Sequence, residues 1–255
     1  MDALFQQLSA VLLALWWPFC RTLGMLSAAP VIGENLAPIT VRVLLALALA
    51  VVMMPIAAPL ATIEPLSVQA VLVTAEQALI GLTLGLAFHL VMAVVAVLGF
   101  TASSQMGLSM AVMNDPMTGM SSDVISSMLY VLSIFVFFAI DGHLVLTGVL
   151  GESFRAWPVG GGLPLLTMQS LAFNVAWVFA AAMLLAVPVV FSALVVQLGF
   201  GFLNRVAPAL NLFSLGFSVI ILFGLFMLGY LARTLPEHYV RLVHRVLDWL
   251  QVAMR

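Results

Sequence analysis

The amino-acid sequence predicts an all-α integral membrane protein with about six or more apolar helices near bilayer-crossing length. These helices are expected to be kinked or hairpin-forming and packed in a larger helical assembly. Three observations carry this reading. First, the chain is 64% hydrophobic and 7% charged, with a mean hydropathy of +1.24. Soluble domains carry roughly 25% charged residues, so most of this surface must face lipid or apolar protein. Second, apolar runs recur from one end of the chain to the other. Third, residues 77–114 and 156–204 contain no Asp, Glu, Lys or Arg. Both stretches are too long for one straight span, so irregular backbone there needs shielding by protein.

The first apolar segment, 4–28, has no positive residue ahead of it and carries Trp16, Trp17 and Pro18. It reads as a retained span rather than a cleaved signal peptide. Its Cys20 is the single cysteine, which excludes an internal disulfide and any cysteine-based metal site. Cys20 reads as a small buried hydrophobe. Arg21 follows it, and Arg42 opens the second segment, 41–61. Both are expected in structural or inter-subunit roles, as arginine suits buried pairing better than lysine.

The third segment, 66–104, contains EQALIGLTLG. Here Glu76 and Gln77 precede Gly81 and Gly85, whose spacing lets another helix approach closely. An ionisable group in such surroundings needs a partner, so Glu76 reads as a buried ion pair or an interface residue. His89 stands alone on the same apolar helix and reads as structural. The fourth segment, 123–150, passes through YVLSIFVFFAI into Asp141-Gly142-His143. Gly142 marks a helix break, and no third ligand is spaced to complete a metal site with Asp141 and His143. Glu152 and Arg155 then lead into the loop WPVGGGLP.

The fifth and sixth segments, 169–203 and 206–232, meet in QLGFGFLNRVAPALNLFSLG. Gly199, Gly201 and Pro208 interrupt the helix there, while Asn204, Arg205 and Asn211 supply hydrogen bonds. A tight polar turn is expected. The tail PEHYVRLVHRVLDWLQVAMR places Val240, Val243, Leu247 and Leu250 at helical spacing. Arg233, Arg241, Arg245 and Arg255 make up four of the eight arginines. A short basic amphipathic helix is therefore expected over 236–255, on the cytoplasmic side.

Other function classes find little support. No basic run lies outside the C-terminus, which argues against nucleic-acid binding. The sequence holds no nucleophile beside its base, no H-E-x-x-H and no phosphate loop. No enzyme activity and no cofactor are expected.

Residues 105–120 read QMGLSMAVMNDPMTGM. Met106, Met110, Met113, Met117 and Met120 follow helical spacing, yet Asn114-Asp115-Pro116 interrupts the helix midway. On the residues alone, the stripe fits either core filler or a deformable apolar contact.

Five pieces of the chain, in order, resemble the FliR/SctT family of type III secretion export-apparatus subunits. They are WPFCRTLGMLSAAPVIGENLAPITVRVLLALALA, EQALIGLTLG, QMGLSMAVMNDPMTG, FFAIDGHLVLTGVLGESFRAWPVG and GFLNRVAPALNLFSLGF. The chain departs from the family's usual pattern at Ala209, where Gln is common, and at Ser218, where Pro is.

The resemblance implies a single export-gate domain over 1–255 in the multi-pass bacterial inner membrane, within the flagellar basal body. Implied partners are FliP-, FliQ- and FlhB-type gate subunits, an FlhA-type export protein, unfolded flagellar cargo and membrane lipid. It also implies that the loop holding Met106, Met110, Met113, Asn114, Asp115, Pro116, Met117 and Met120 plugs the closed channel. Arg21, Arg42, Glu76, Gln77, Gly81, Gly85, Asn204, Arg205 and Pro208 are the expected structural or inter-subunit positions. A virulence injectisome subunit is the neighbouring alternative. A small-solute secondary transporter is the alternative from another class, with Glu76 and Asn204-Arg205 as its candidate site.

Overall fold

Apolar sequence without helix breakers favours one continuous helix, because in lipid the backbone must satisfy its own polar groups. The computed structural model describes residues 2–33, 37–57, 64, 67–108, 113–114, 121–206 and 212–254. Among them lie seven helices. Helices α1 (Asp2–Ala28) and α2 (Ile39–Met53) pack against each other. The breaker-free stretch after Val68 becomes α3 (Val68–Gln105), a single helix of 38 residues. Its Thr74, Thr83 and Thr101 hydroxyls each donate to the carbonyl four residues back, so they add no unsatisfied group to an apolar surface.

Two-residue strands β1 (Met113–Asn114) and β2 (Ser121–Ser122) pair antiparallel, Met113 opposite Ser122 and Asn114 opposite Ser121. Next come α4 (Val124–Ala139) and α5 (Gly142–Ala156), separated by a 66° bend. Asp141 takes the left-handed conformation there, with φ of 54°. Gly142 sits against the Phe137 ring and carbonyl, where a Cβ would collide. The apolar run 123–150 is thus a broken pair, and the break falls at the Asp-Gly expected to make one.

Helices α6 (Leu165–Val206) and α7 (Leu212–Ala253) are each 42 residues long. They run through Pro188 and Pro236 respectively, so the charge-free stretch 156–204 does not fold back on itself within α6. Proline removes one helical hydrogen bond and crowds the preceding turn. Burial on either side offsets this in α7, where Leu228, Leu231, Leu235, Tyr239, Leu242, Val246 and Leu250 form one buried line. The residues expected as a short C-terminal helix are the end of α7.

The all-α membrane class is observed, but the count of crossing helices is smaller than expected. Among the described residues, α3, α6 and the part of α7 from Leu215 are long and apolar enough to cross a membrane. The α4–α5 pair makes a fourth if it counts as one broken span. Helix α2 is apolar but has only 15 residues.

The chain divides into two compact units. One comprises residues 1–90, 137–174 and 243–255. Trp17, Met25, Ala46, Ile80, Leu84 and Leu150 are buried there. The other comprises 91–136 and 175–242, with Val95, Leu98, Met106, Leu129, Ala186 and Leu235 buried.

Candidate functional site

Helix α3 delivers the methionine segment, and its end is tightly specified. The Met106 amide still bonds the Ala102 carbonyl at 3.1 Å, and the Gly107 amide bonds Ser104 at 3.2 Å. Gly107 then turns left-handed, with φ of 72°. Such a glycine commonly ends a helix because it has no Cβ to clash. The Met106 side chain is fully buried and lies against Gly224 of α7. Two turns earlier on α7, the exposed Phe217 ring stands 3.0 Å from where a Cβ at the exposed Gly107 would lie.

Beyond this turn, the antiparallel pairing of Met113–Asn114 with Ser121–Ser122 replaces the helical stripe suggested by the methionine spacing. Met110, Asp115, Pro116, Met117 and Met120 lie outside the described residues, as does Pro208.

The far end of the segment is fixed by Asp123, which is buried and caps α4. One carboxylate oxygen accepts from the Ser126 amide and the other from the Ser126 hydroxyl, both at 2.7 Å. This satisfies one of the orphan donors of the first helical turn. Ser126 packs directly on Gly99 of α3. The apolar run after Asp123 was the available sequence signal for this cap.

Three predicted polar positions of the first unit, Arg21, Glu76 and Gln77, come together around Arg21, which is fully buried. Its Nε donates to Gln77 Oε1 at 2.8 Å. Nη1 donates to the Ser153 carbonyl at 2.8 Å and to Ser153 Oγ at 3.2 Å. Nη2 donates to the Trp157 carbonyl at 2.7 Å. These carbonyls belong to the C-terminal end of α5, where a cation also complements the helix dipole. The guanidinium carbon lies 4.0 Å from the centre of the Phe154 ring, within cation–π range. Gln77 turns its amide to Glu76, donating at 3.0 Å, so Glu76 reaches Arg21 through one side chain.

Gly81 and Gly85 allow this geometry. A Cβ at Gly81 would collide with the Arg21 carbonyl, and one at Gly85 with the Met25 carbonyl. Nearby, Trp16 Nε1 donates to Thr74 Oγ1 at 3.0 Å.

The other predicted positions lie apart from this cluster. Arg42 Nε donates to the Ile32 carbonyl at 3.1 Å, tying α2 to the preceding turn. Asn204 and Arg205 are exposed at the end of α6. Ser153, Phe154 and Trp157 were not anticipated from sequence, because two of Arg21's bonds end on backbone carbonyls.

Residues 12–246 match the family described as bacterial export proteins, family 1. The chain is 34% identical over 237 residues to the flagellar biosynthetic protein FliR of Pectobacterium carotovorum, covering 92% of this chain and 90% of that one. It is 31% identical to the protein of the same name in Escherichia coli, covering 84% and 82% of the two chains. The surface presentation of antigens protein SpaR of Salmonella typhimurium is 27% identical over 69% of this chain and 67% of its own.

Proposed function

The chain belongs to the bacterial export proteins, family 1, and from that membership we propose that it is a subunit of the flagellar type III protein-export gate in the inner membrane. It works there as one multi-pass gate domain of the basal body. FliP-, FliQ- and FlhB-type subunits and an FlhA-type export protein are its partners. The channel they form passes unfolded flagellar cargo. The flagellar reading is favoured over the injectisome one by identity: the FliR relatives reach 34%, the SpaR relative 27%.

The methionine segment is the seal of the resting channel. The observation that supports this is its mounting. Buried Met106 and the Gly107 turn hold one end, capped α4 holds the other, and Met113–Asn114 pair with Ser121–Ser122 between them. A pore for unfolded chains must be wide yet closed to ions at rest. Apolar constrictions block ions by excluding water, and methionine repacks around varied shapes. Met110 and Met113 are the central sealing residues.

Two experiments test the reading. Affinity purification in mild detergent should recover FliP- and FliQ-type subunits with this chain. Their absence would leave the small-solute transporter reading, under which the chain purified alone transports a solute. In assembled complexes, Met110→Gly with Met113→Gly should raise resting ion conductance. Unchanged conductance with assembly intact would remove the sealing role.

A further inference from the structure

Helices α1, α2 and α5 border a cavity of about 260 Å³. It lies wholly within the unit of residues 1–90, 137–174 and 243–255. Its floor is made by buried residues, Met25 and Leu26 of α1 with Leu146 and Leu150 of α5. Its rim is open, since Leu45 of α2 and Leu144 of α5 also line it and are 38% and 58% exposed. Two threonines line it as well, and both hydroxyl protons are spent within their own helices. Thr22 Oγ1 donates to the Pro18 carbonyl at 2.7 Å, and Thr147 Oγ1 to the Leu144 carbonyl at 2.8 Å. The floor therefore offers an occupant little but hydrocarbon contact. Water finds no partners in such a space: an apolar cavity of about 150 Å³ stays dry and takes up benzene. This one is larger, and a void leaves its lining without dispersion contacts on one side.

Two features of the mouth define the occupant. It opens beside the outer row of α2, where Val41, Leu44, Val51 and Val52 are 51%, 60%, 55% and 65% exposed. In a membrane protein a row this apolar belongs against hydrocarbon. One side of the mouth is polar, however. His143 lines the cavity, and both it and Asp141 are exposed at the break between α4 and α5. A ligand suited to both features is an amphiphile, with a flexible chain in the dry space and a polar end beside His143. We propose that this cavity takes up one acyl chain of a membrane phospholipid, whose headgroup end lies at His143. The chain fills the gap that α1, α2 and α5 leave between them. The site is independent of any role of the methionine segment.

The test uses isolated membranes containing the tagged full chain, so that its natural partners stay in place. They are loaded with a phosphatidylglycerol carrying a diazirine at the end of one acyl chain. After photolysis, the labelled residues are mapped by peptide mass spectrometry. Label is expected on the floor residues Leu26, Leu146 and Leu150 as well as on the outer residues Val51 and Val52. Leu49→Phe adds a ring at the half-buried wall. It should cut floor labelling several-fold and leave outer labelling unchanged. Should Leu49→Phe fail to accumulate, Thr147→Leu supplies a second filling, and the wild-type pattern decides without either. Label confined to the outer residues overturns the site and leaves a partner's apolar side chain as the occupant. Floor labelling that the filling variants do not reduce overturns it too. A diazirine fatty acid used in place of the phospholipid separates the two sources of an acyl chain. Floor labelling by the fatty acid alone overturns the phospholipid assignment.

Discussion

At the scale of single residues, Arg21 is the most constrained group in the described chain. It is a charged side chain with no exposure, held by Gln77, Ser153 and the Trp157 carbonyl. Removing the donor to a buried neutral acceptor leaves that acceptor unsatisfied, at about 1–3 kcal/mol. Arg21→Met deletes the donors and leaves the Gln77 and Trp157 oxygens without their arginine partner. Thermal melting of the purified complex should show a loss of about that size or somewhat more. Arg21→Lys should not rescue it, because an ammonium cannot span the forked set of acceptors. Glu76→Gln keeps an acceptor for the Gln77 amide and should cost no more than about 1 kcal/mol. Equal losses for Arg21→Met and Glu76→Gln would contradict the arrangement. Only half of this hub was legible in sequence. Arg21, Glu76 and Gln77 stand out as polar groups in apolar runs, whereas the carbonyls of Ser153 and Trp157 have no sequence signature.

At the scale of elements, the glycine spacing in EQALIGLTLG translated directly into structure. Gly81 meets the Arg21 carbonyl and Gly85 the Met25 carbonyl, so α3 accepts the α1 backbone along a strip without side chains. Gly24 of α1 contributes from the other side, where a Cβ would lie 2.5 Å from the Ala78 carbonyl. Close backbone approach is what small residues four apart provide between membrane helices. Gly81→Ala forces a methyl group into a backbone carbonyl, which cannot move as a side chain tip can. The expected cost is about 1–3 kcal/mol, read as a lower melting temperature of the complex. The exposed Gly148 of α5 has nothing within 4 Å of an added Cβ. Gly148→Ala should therefore leave melting unchanged or raise it slightly, by roughly the helix-propensity gain. A Gly81→Ala variant as stable as Gly148→Ala would show that α1 and α3 are not so closely packed.

Helix ends were less legible than helix faces. The break at Asp141-Gly142 was visible because glycine and a short polar residue tolerate the left-handed turn. The continuity of α6 through Pro188 and of α7 through Pro236 was not visible. Proline argues locally for a stop, and only burial along the helix decides otherwise. The pairing of Met113 with Ser122 was hidden for a related reason. A ladder of two residues rests on backbone bonds, and the methionine spacing that surrounds it points to a helix.

At the scale of the whole molecule, the long helices expose more apolar surface than a bilayer can cover. Helix α6, at 42 residues, extends about 63 Å along its contour, whereas the hydrocarbon core is about 30 Å thick. Its exposed apolar residues run nearly the full length, from Leu166 at 82% and Phe173 at 71% to Phe191 at 66% and Phe202 at 69%. A straight upright helix of this length would leave about half of that row outside the hydrocarbon core, where apolar protein would have to cover it. Exposed apolar patches of this extent mark interaction surfaces or lead to aggregation. The chain expressed alone should therefore elute from size exclusion in mild detergent as polydisperse aggregates. Co-expression with FliP- and FliQ-type subunits should give one sharp species. Charged substitutions at Phe173 and Phe202 then discriminate lipid from protein contact. These residues are 29 positions apart and belong to different compact units of the chain, so the two variants probe the two units separately. Phe173→Glu and Phe202→Glu should each lower the recovery of partner subunits if protein covers both ends. Full recovery with both variants would mean that neither end of α6 lies in the subunit interface, and the exposed row would need another occupant.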